Sequence, residues 1–219
     1  PLVSLSVAII LFEGGLDLPP RELRNTGTVV RRLITIGAVL TFLVGWYASR
    51  EIFGISNQAA IVLGAVLVVT GPTVVGPLLR FVRPAGRTGP ILRAEGVLID
   101  PIGATAALLA FEIVLLEDAN EALLRVAGIL VLTLVAGAGI GLLAAYVLDE
   151  ALRRFLIPDQ LIVPVTFAVV IATFVAANEI QEESGLVTVT VLGMYLARRE
   201  TSTVRHVLEF SESLRTLLI

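Results

Sequence analysis

The 219-residue sequence contains no cysteine, no lysine and a single histidine. The absence of cysteine excludes disulfide bridges and thiolate metal sites. Charged residues make up only 16% of the chain, whereas about 25% is usual for a soluble domain. A net charge of −3 gives no indication of a nucleic-acid partner. The composition therefore argues against a soluble domain and against a nucleic-acid-binding protein.

Apolar residues are abundant instead, at 56% of the chain, and they occur in long runs. A helix that crosses a bilayer needs about 20 mainly apolar residues. The sequence therefore predicts an all-α membrane protein in a lipid bilayer, with about seven transmembrane helices. The apolar segments are residues 2–18, 33–49, 57–79, 91–116, 122–147, 161–178 and 184–197.

The connecting loops are alternately rich and poor in arginine. Counting loops along the chain, thirteen arginines lie in odd-numbered loops and two in even-numbered loops. The first loop alone holds Arg21, Arg24, Arg31 and Arg32. Because basic residues accumulate in cytoplasmic loops, we expect the odd loops to face the cytoplasm. We expect an integral protein of a prokaryotic inner (cell) membrane.

Asp100 lies in the middle of an apolar run that begins at Ile91. A carboxylate at the centre of a bilayer costs about 2.5–3.5 kcal/mol on insertion scales. Such residues usually handle ions or protons, or pair with another charged group. Asp100 is therefore the first candidate for a transport site, and a structural pair with an arginine is the alternative.

A break is predicted in the third segment, at Thr70-Gly71-Pro72-Thr73. Pro72 removes a backbone donor, and Gly71 lowers the cost of non-helical backbone. Freed carbonyls at membrane depth are tolerated where they line a cavity, and transporters use them to hold cations. Taken alone, these four residues are equally compatible with a simple helix kink that binds no ion.

The break and Asp100 lie at matching depths. At a rise of about 1.5 Å per residue, Thr70 is roughly 15 Å from Arg80 and Asp100 roughly 13 Å from Ile91, at the same membrane edge. We therefore predict a site for a monovalent cation and a proton, with Asp100, Thr70 and Thr73 as ligands. An alternative is that Asp100, before Pro101, caps a half-helix.

Four stretches together carry a family resemblance. Glu95–Asp100 resembles the E-S-x-x-N-D motif of sodium/proton exchangers of the NhaP and animal type, and 69–75 resembles T-D-P-V-A-V. Residues 10–18 resemble the F-E-G-G-L helix, and 183–193 the S-G-x-L-A-V-x-V-A-G helix. The four stretches occur in family order.

The resemblance implies a monovalent cation/proton antiporter with an inverted-repeat fold, of which residues 1–219 would be a partial transmembrane domain truncated at both ends. It implies that Asp100 alternately binds cation and proton, by alternating access. It implies that Thr70 contacts the ion and that Glu95 pairs with an arginine outside this chain. No cofactor is implied beyond transported Na⁺ or K⁺ and H⁺, with Li⁺ as a further candidate.

Three positions depart from the family pattern: Gly71, Gly96 and Ile99 stand where the motifs have aspartate, serine and asparagine. Isoleucine neither donates nor accepts a hydrogen bond, so the polar support of the ion is thinner here. The identity of the cation and the stoichiometry stay open. With one central carboxylate, we expect one cation for one proton.

Two further features have alternative explanations. Glu13 also lies at core depth and could support the ion pathway, but the adjacent Gly14 and Gly15 indicate tight helix packing. Gly137, Gly139 and Gly141 form a small-residue face for close helix contact, in the core or between subunits. We expect a homodimer.

An enzyme is not expected. An intramembrane aspartyl protease needs two facing aspartates within the membrane, and the other aspartates lie near segment ends. A serine protease needs a membrane base, and the only histidine lies outside the segments. A cation channel or a sensory membrane domain without antiport remains the alternative function.

Overall fold

The computed structural model describes residues 2–18, 20–115 and 119–198, together with residues 207, 208 and 210. Every regular element in these ranges is helical. A π-helical turn, Leu33–Gly37, joins α2 to α3, and a 3-10 turn, Asp159–Leu161, precedes α8. The α-helices are α1 (Leu2–Leu16), α2 (Pro20–Arg32), α3 (Ala38–Glu51), α4 (Asn57–Val66), α5 (Pro72–Val82), α6 (Thr88–Leu115), α7 (Ala119–Arg153), α8 (Ile162–Ile180) and α9 (Ser184–Leu196).

In the part of the chain that the structure describes, seven apolar helical stretches overlap the seven predicted segments. Four are long and apolar enough to cross a membrane: Thr26–Glu51, Thr88–Phe111, Gly128–Arg153 and Asp159–Ile180. Three are shorter: Ser4–Leu16, Asn57–Val66 and Ser184–Leu196. The all-α prediction is confirmed, and so is the discontinuity in the third segment.

The first loop was predicted wrongly, because its arginine-rich residues form helix α2. Pro20 is the first residue of α2, where its missing amide donor costs nothing. The helix then runs through the π-turn into α3 without another proline as far as Glu51. A search for apolar runs cannot detect a polar helix, which explains the error.

The chain divides into two compact units, of which the first comprises Pro1–Arg24 and Thr133–Ile219. In this unit α9 is buried almost throughout, and glycines allow its neighbours to approach closely. A Cβ added at Gly193 would overlap the carbonyl oxygen of Phe12 in α1, and one at Gly15 would lie 2.5 Å from the carbonyl oxygen of Thr190. Backbone contact of this kind is typical of helix pairs in membranes.

The predicted small-residue face of α7 is confirmed at two of its three glycines. A Cβ at Gly137 would lie 2.6 Å from the carbonyl oxygen of Ser184, and one at Gly141 would lie 2.5 Å from that of Thr188. A Cβ at Gly139 would meet nothing within 4 Å. Gly137 and Gly141 are one helical turn apart and therefore share a face, whereas Gly139 lies on the opposite side.

The second unit is Asn25–Leu132. Within it α3 packs on α4, and both α4 and α5 pack on α6. Gly64 provides the close contact between α3 and α4, since a Cβ there would lie 3.0 Å from the carbonyl oxygen of Phe42. Ala60, Ala94 and Val97 are at most 1% exposed and belong to the core of this unit. These contacts place the break between α4 and α5 directly against α6.

Candidate cation site

The break in the third segment extends over residues 67–71. The amide of Val69 still donates to the carbonyl oxygen of Val66 at 3.3 Å, and the next bond of α-helical spacing runs from the amide of Val75 to the carbonyl of Gly71. Gly71 is extended, with φ −65° and ψ 140°. Any residue can adopt these angles, and the following Pro72 favours them. Proline, more than glycine, therefore fixes where α5 begins.

Helix α6 continues through Asp100 and Pro101 without interruption, from Thr88 to Leu115. The alternative in which Asp100 caps a half-helix is therefore wrong. Pro101 has no amide hydrogen, so it removes one bond from the ladder of α6. The hydroxyl of Thr105 donates to the carbonyl oxygen of Pro101 at 2.8 Å and supports the helix at this point.

Two glycines of α6 contact the break from either side of Asp100. A Cβ at Gly96 would lie 3.3 Å from the carbonyl oxygen of Thr70, and one at Gly103 would lie 2.6 Å from a methyl group of Val69. At 3.6 residues per turn, Gly96, Asp100 and Gly103 fall within about 60° around the helix axis. Asp100 therefore occupies the face of α6 that packs on the break, at a level between the two contacts.

Thr70 also makes a side-chain contact with α6, through Glu95. The Thr70 hydroxyl donates a hydrogen bond to Oε1 of Glu95, with an oxygen–oxygen distance of 2.8 Å. The sequence had placed Thr70 at the ion and Glu95 with a distant arginine, so this pair was missed. The count of residues from the membrane edge gave no signal for it, because it placed Thr70 level with Asp100 and not with Glu95.

The remaining candidate residues are placed as follows. Ile99 is 1% exposed and belongs to the core, so this position offers the site no polar group. Glu13 lies on α1 in the first unit and is 4% exposed. The side chains of Thr73 and Pro72 lie outside the described part of the structure.

The electrostatics of the break depend on the two carboxylates of α6. The first turn of α5 carries a partial positive charge, and its N-cap, Gly71, has no side chain to compensate it. Glu95 and Asp100, which is half-buried, are the acidic residues on the part of α6 that packs on the break. The oxygens available are carboxylate, hydroxyl and carbonyl, which suit hard cations and protons.

The donor set is small. Among the residues that the structure describes, no group of three His, Cys, Asp or Glu side chains is arranged to hold a metal ion. A calcium site takes six to eight oxygen ligands, commonly with several carboxylates.

Comparison with known proteins agrees with the motifs and the fold. A family model described as "Sodium/hydrogen exchanger, transmembrane" matches residues 2–219. The high-affinity Na⁺/H⁺ antiporter NhaS3 of Synechocystis sp. is 32% identical over 101 residues, which is 46% of this chain and 22% of NhaS3.

Two structures of the sodium proton antiporter MjNhaP1 from Methanocaldococcus jannaschii share the fold. The structure at pH 8 has a TM-score of 0.74 at 17% identity, and the match covers 97% of this chain and 53% of the MjNhaP1 chain. The electron-microscopy structure has a TM-score of 0.75 at 18% identity, and the match covers 97% of this chain and 52% of the MjNhaP1 chain. This chain thus spans about half the length of MjNhaP1.

Both relatives are named as transporters, in agreement with the expectation that the chain is not an enzyme. The model match extends over nearly the entire sequence, including the break and the helix that carries Asp100. The chain belongs to the sodium/hydrogen exchanger transmembrane family.

Proposed function

We propose that the protein of which this chain is a part exchanges protons for a monovalent cation, Na⁺ or K⁺, across a membrane. One observation carries the proposal: Asp100 lies on the face of α6 between Gly96 and Gly103, two glycines at which α6 contacts the break. A carboxylate and non-helical backbone are thereby brought to one level of the second unit. Family membership supports the same conclusion.

The mechanism follows from competition for one carboxylate. When Asp100 is ionised, it attracts the cation, and the Thr70 carbonyl provides an oxygen that is already oriented by the break. When Asp100 takes up a proton, its charge is lost and the cation leaves. Alternating access exposes this site to one side of the membrane and then to the other. Each half of the cycle carries one positive charge, so the exchange of one cation for one proton is electroneutral.

We expect the full-length protein in liposomes to dissipate an imposed pH gradient when Na⁺, K⁺ or Li⁺ is added outside. Because proton and cation compete, the cation concentration for half-maximal exchange should rise as the pH falls, by up to about tenfold per pH unit. Fluorescence of an entrapped pH dye measures the exchange. A unitary current in a planar bilayer, or a pH-independent half-maximal concentration, would contradict the proposal and favour a channel.

The orientation of the chain is part of the proposal. We place the odd loops in the cytoplasm, on the arginine distribution. We retain the homodimer and the prokaryotic inner membrane as proposals, the latter supported by relatives from a cyanobacterium and an archaeon.

A further inference from the structure

The hydrogen bond between Thr70 and Glu95 connects the break to α6 next to the proposed cation site. Thr70 is the residue whose carbonyl oxygen lies against Gly96, and its own hydroxyl is committed to Glu95 at 2.8 Å. Glu95 and Gly96 are consecutive, so they lie about 100° apart around the axis of α6. Thr70 thus meets two neighbouring positions of one helix: its hydroxyl is bonded to Glu95, and its carbonyl oxygen lies against Gly96.

This hydrogen bond matters because, among the residues that the structure describes, few other groups at the break can orient Thr70. Residues 67–71 lie outside the regular helices, and the N-cap of α5 has no side-chain hydrogen bond. Gly96 and Ile99 contribute no polar side chain at this level. A backbone carbonyl binds a cation well only when it is already oriented, since ordering it at the moment of binding costs conformational entropy.

We propose that Glu95 is a positioning residue that binds the Thr70 hydroxyl and thereby orients the Thr70 carbonyl toward a cation at Asp100. Glu95 acts through Thr70 and not as a ligand. The inference rests on the proposed function, because it assigns a role at the same site. It also gives Glu95 a partner within this chain.

Four single variants of the full-length protein test the role. Thr70→Ser keeps the hydroxyl and Glu95→Gln keeps an acceptor oxygen, so both should retain the cation affinity within about threefold. Thr70→Val and Glu95→Leu remove the bond with similar side-chain volumes, and each should weaken cation binding about tenfold. Affinity is read as the midpoint of the binding isotherm in calorimetric titration with NaCl or KCl, against choline chloride.

The double variant Thr70→Val/Glu95→Leu separates positioning from independent effects. If one bond is responsible, the double variant should bind the cation no more weakly than the worse single variant. Additive losses would overturn the proposal, as would equal losses in Glu95→Gln and Glu95→Leu, which would make Glu95 a charged ligand. Unchanged midpoints in Thr70→Val and Glu95→Leu would overturn it too. If Thr70→Val does not fold, the two Glu95 variants decide the question.

The measurement separates this proposal from the proposed function. Titration midpoints report binding and need no transport, so a wild-type protein that binds the cation without exchanging it contradicts only the antiport mechanism. A general loss of stability lowers the unfolding temperature without cation and leaves the midpoint unchanged, which distinguishes a structural role from positioning.

Discussion

Replacing Asp100 with asparagine is expected to reduce cation-driven proton exchange to the level of protein-free liposomes. Asparagine keeps the size of the side chain and an oxygen, but it has no charge and takes up no proton. A full charge about 4 Å away contributes about 4 kcal/mol at an effective dielectric constant of about 20, which corresponds to roughly 1,000-fold in affinity. The dye assay with the full-length protein measures the loss.

Asp159→Asn is the matched control. Asp159 is exposed in the 3-10 turn before α8, so the same chemical change is made at a residue that is not part of the proposed site. The control should exchange at the wild-type rate. Exchange by Asp100→Asn within a factor of about three of this control would show that the proton and cation use another residue, against the loss expected for a shared carboxylate.

Replacing Gly141 with alanine is expected to lower the unfolding temperature by several degrees. The new Cβ would lie 2.5 Å from the carbonyl oxygen of Thr188, and a backbone oxygen cannot move aside without shifting α9. Overpacking of this kind costs about 1–3 kcal/mol. Thermal unfolding of the full-length protein in detergent measures the effect.

Gly139→Ala, two residues away on the same helix, provides the comparison. A Cβ there meets nothing within 4 Å, and alanine is favoured over glycine in a helix by up to about 1 kcal/mol. This variant should be as stable as wild type or more stable. Equal effects of the two substitutions would mean that the glycine requirement of α7 does not arise from its contact with α9.

Local chemistry made much of the fold predictable. Lengths of apolar sequence located the seven segments, because a bilayer imposes a minimum length on each span. The break was predictable because Pro72 cannot continue the hydrogen-bond ladder. The level of Asp100 was predictable from the rise per residue, since α5 and α6 are antiparallel and joined by a short loop.

Other features depend on pairs of residues that no single segment specifies. Helix α2 was missed because it is rich in arginine, and a search for apolar runs does not detect a polar helix. The bond between Thr70 and Glu95 was missed because the family resemblance assigned both residues to other partners. The difference between Gly139 and Gly141 could not be predicted from composition, because only the position of α9 determines which glycine is contacted.

Proton release on cation binding tests the shared carboxylate most directly. Purified full-length protein in weakly buffered solution is titrated with NaCl or KCl, and the protons released are counted with a pH indicator. We predict about one proton released per cation bound at a pH at which Asp100 is protonated before the cation is added, and none from Asp100→Asn. Cation binding without proton release, or undiminished release from Asp100→Asn, would contradict the account.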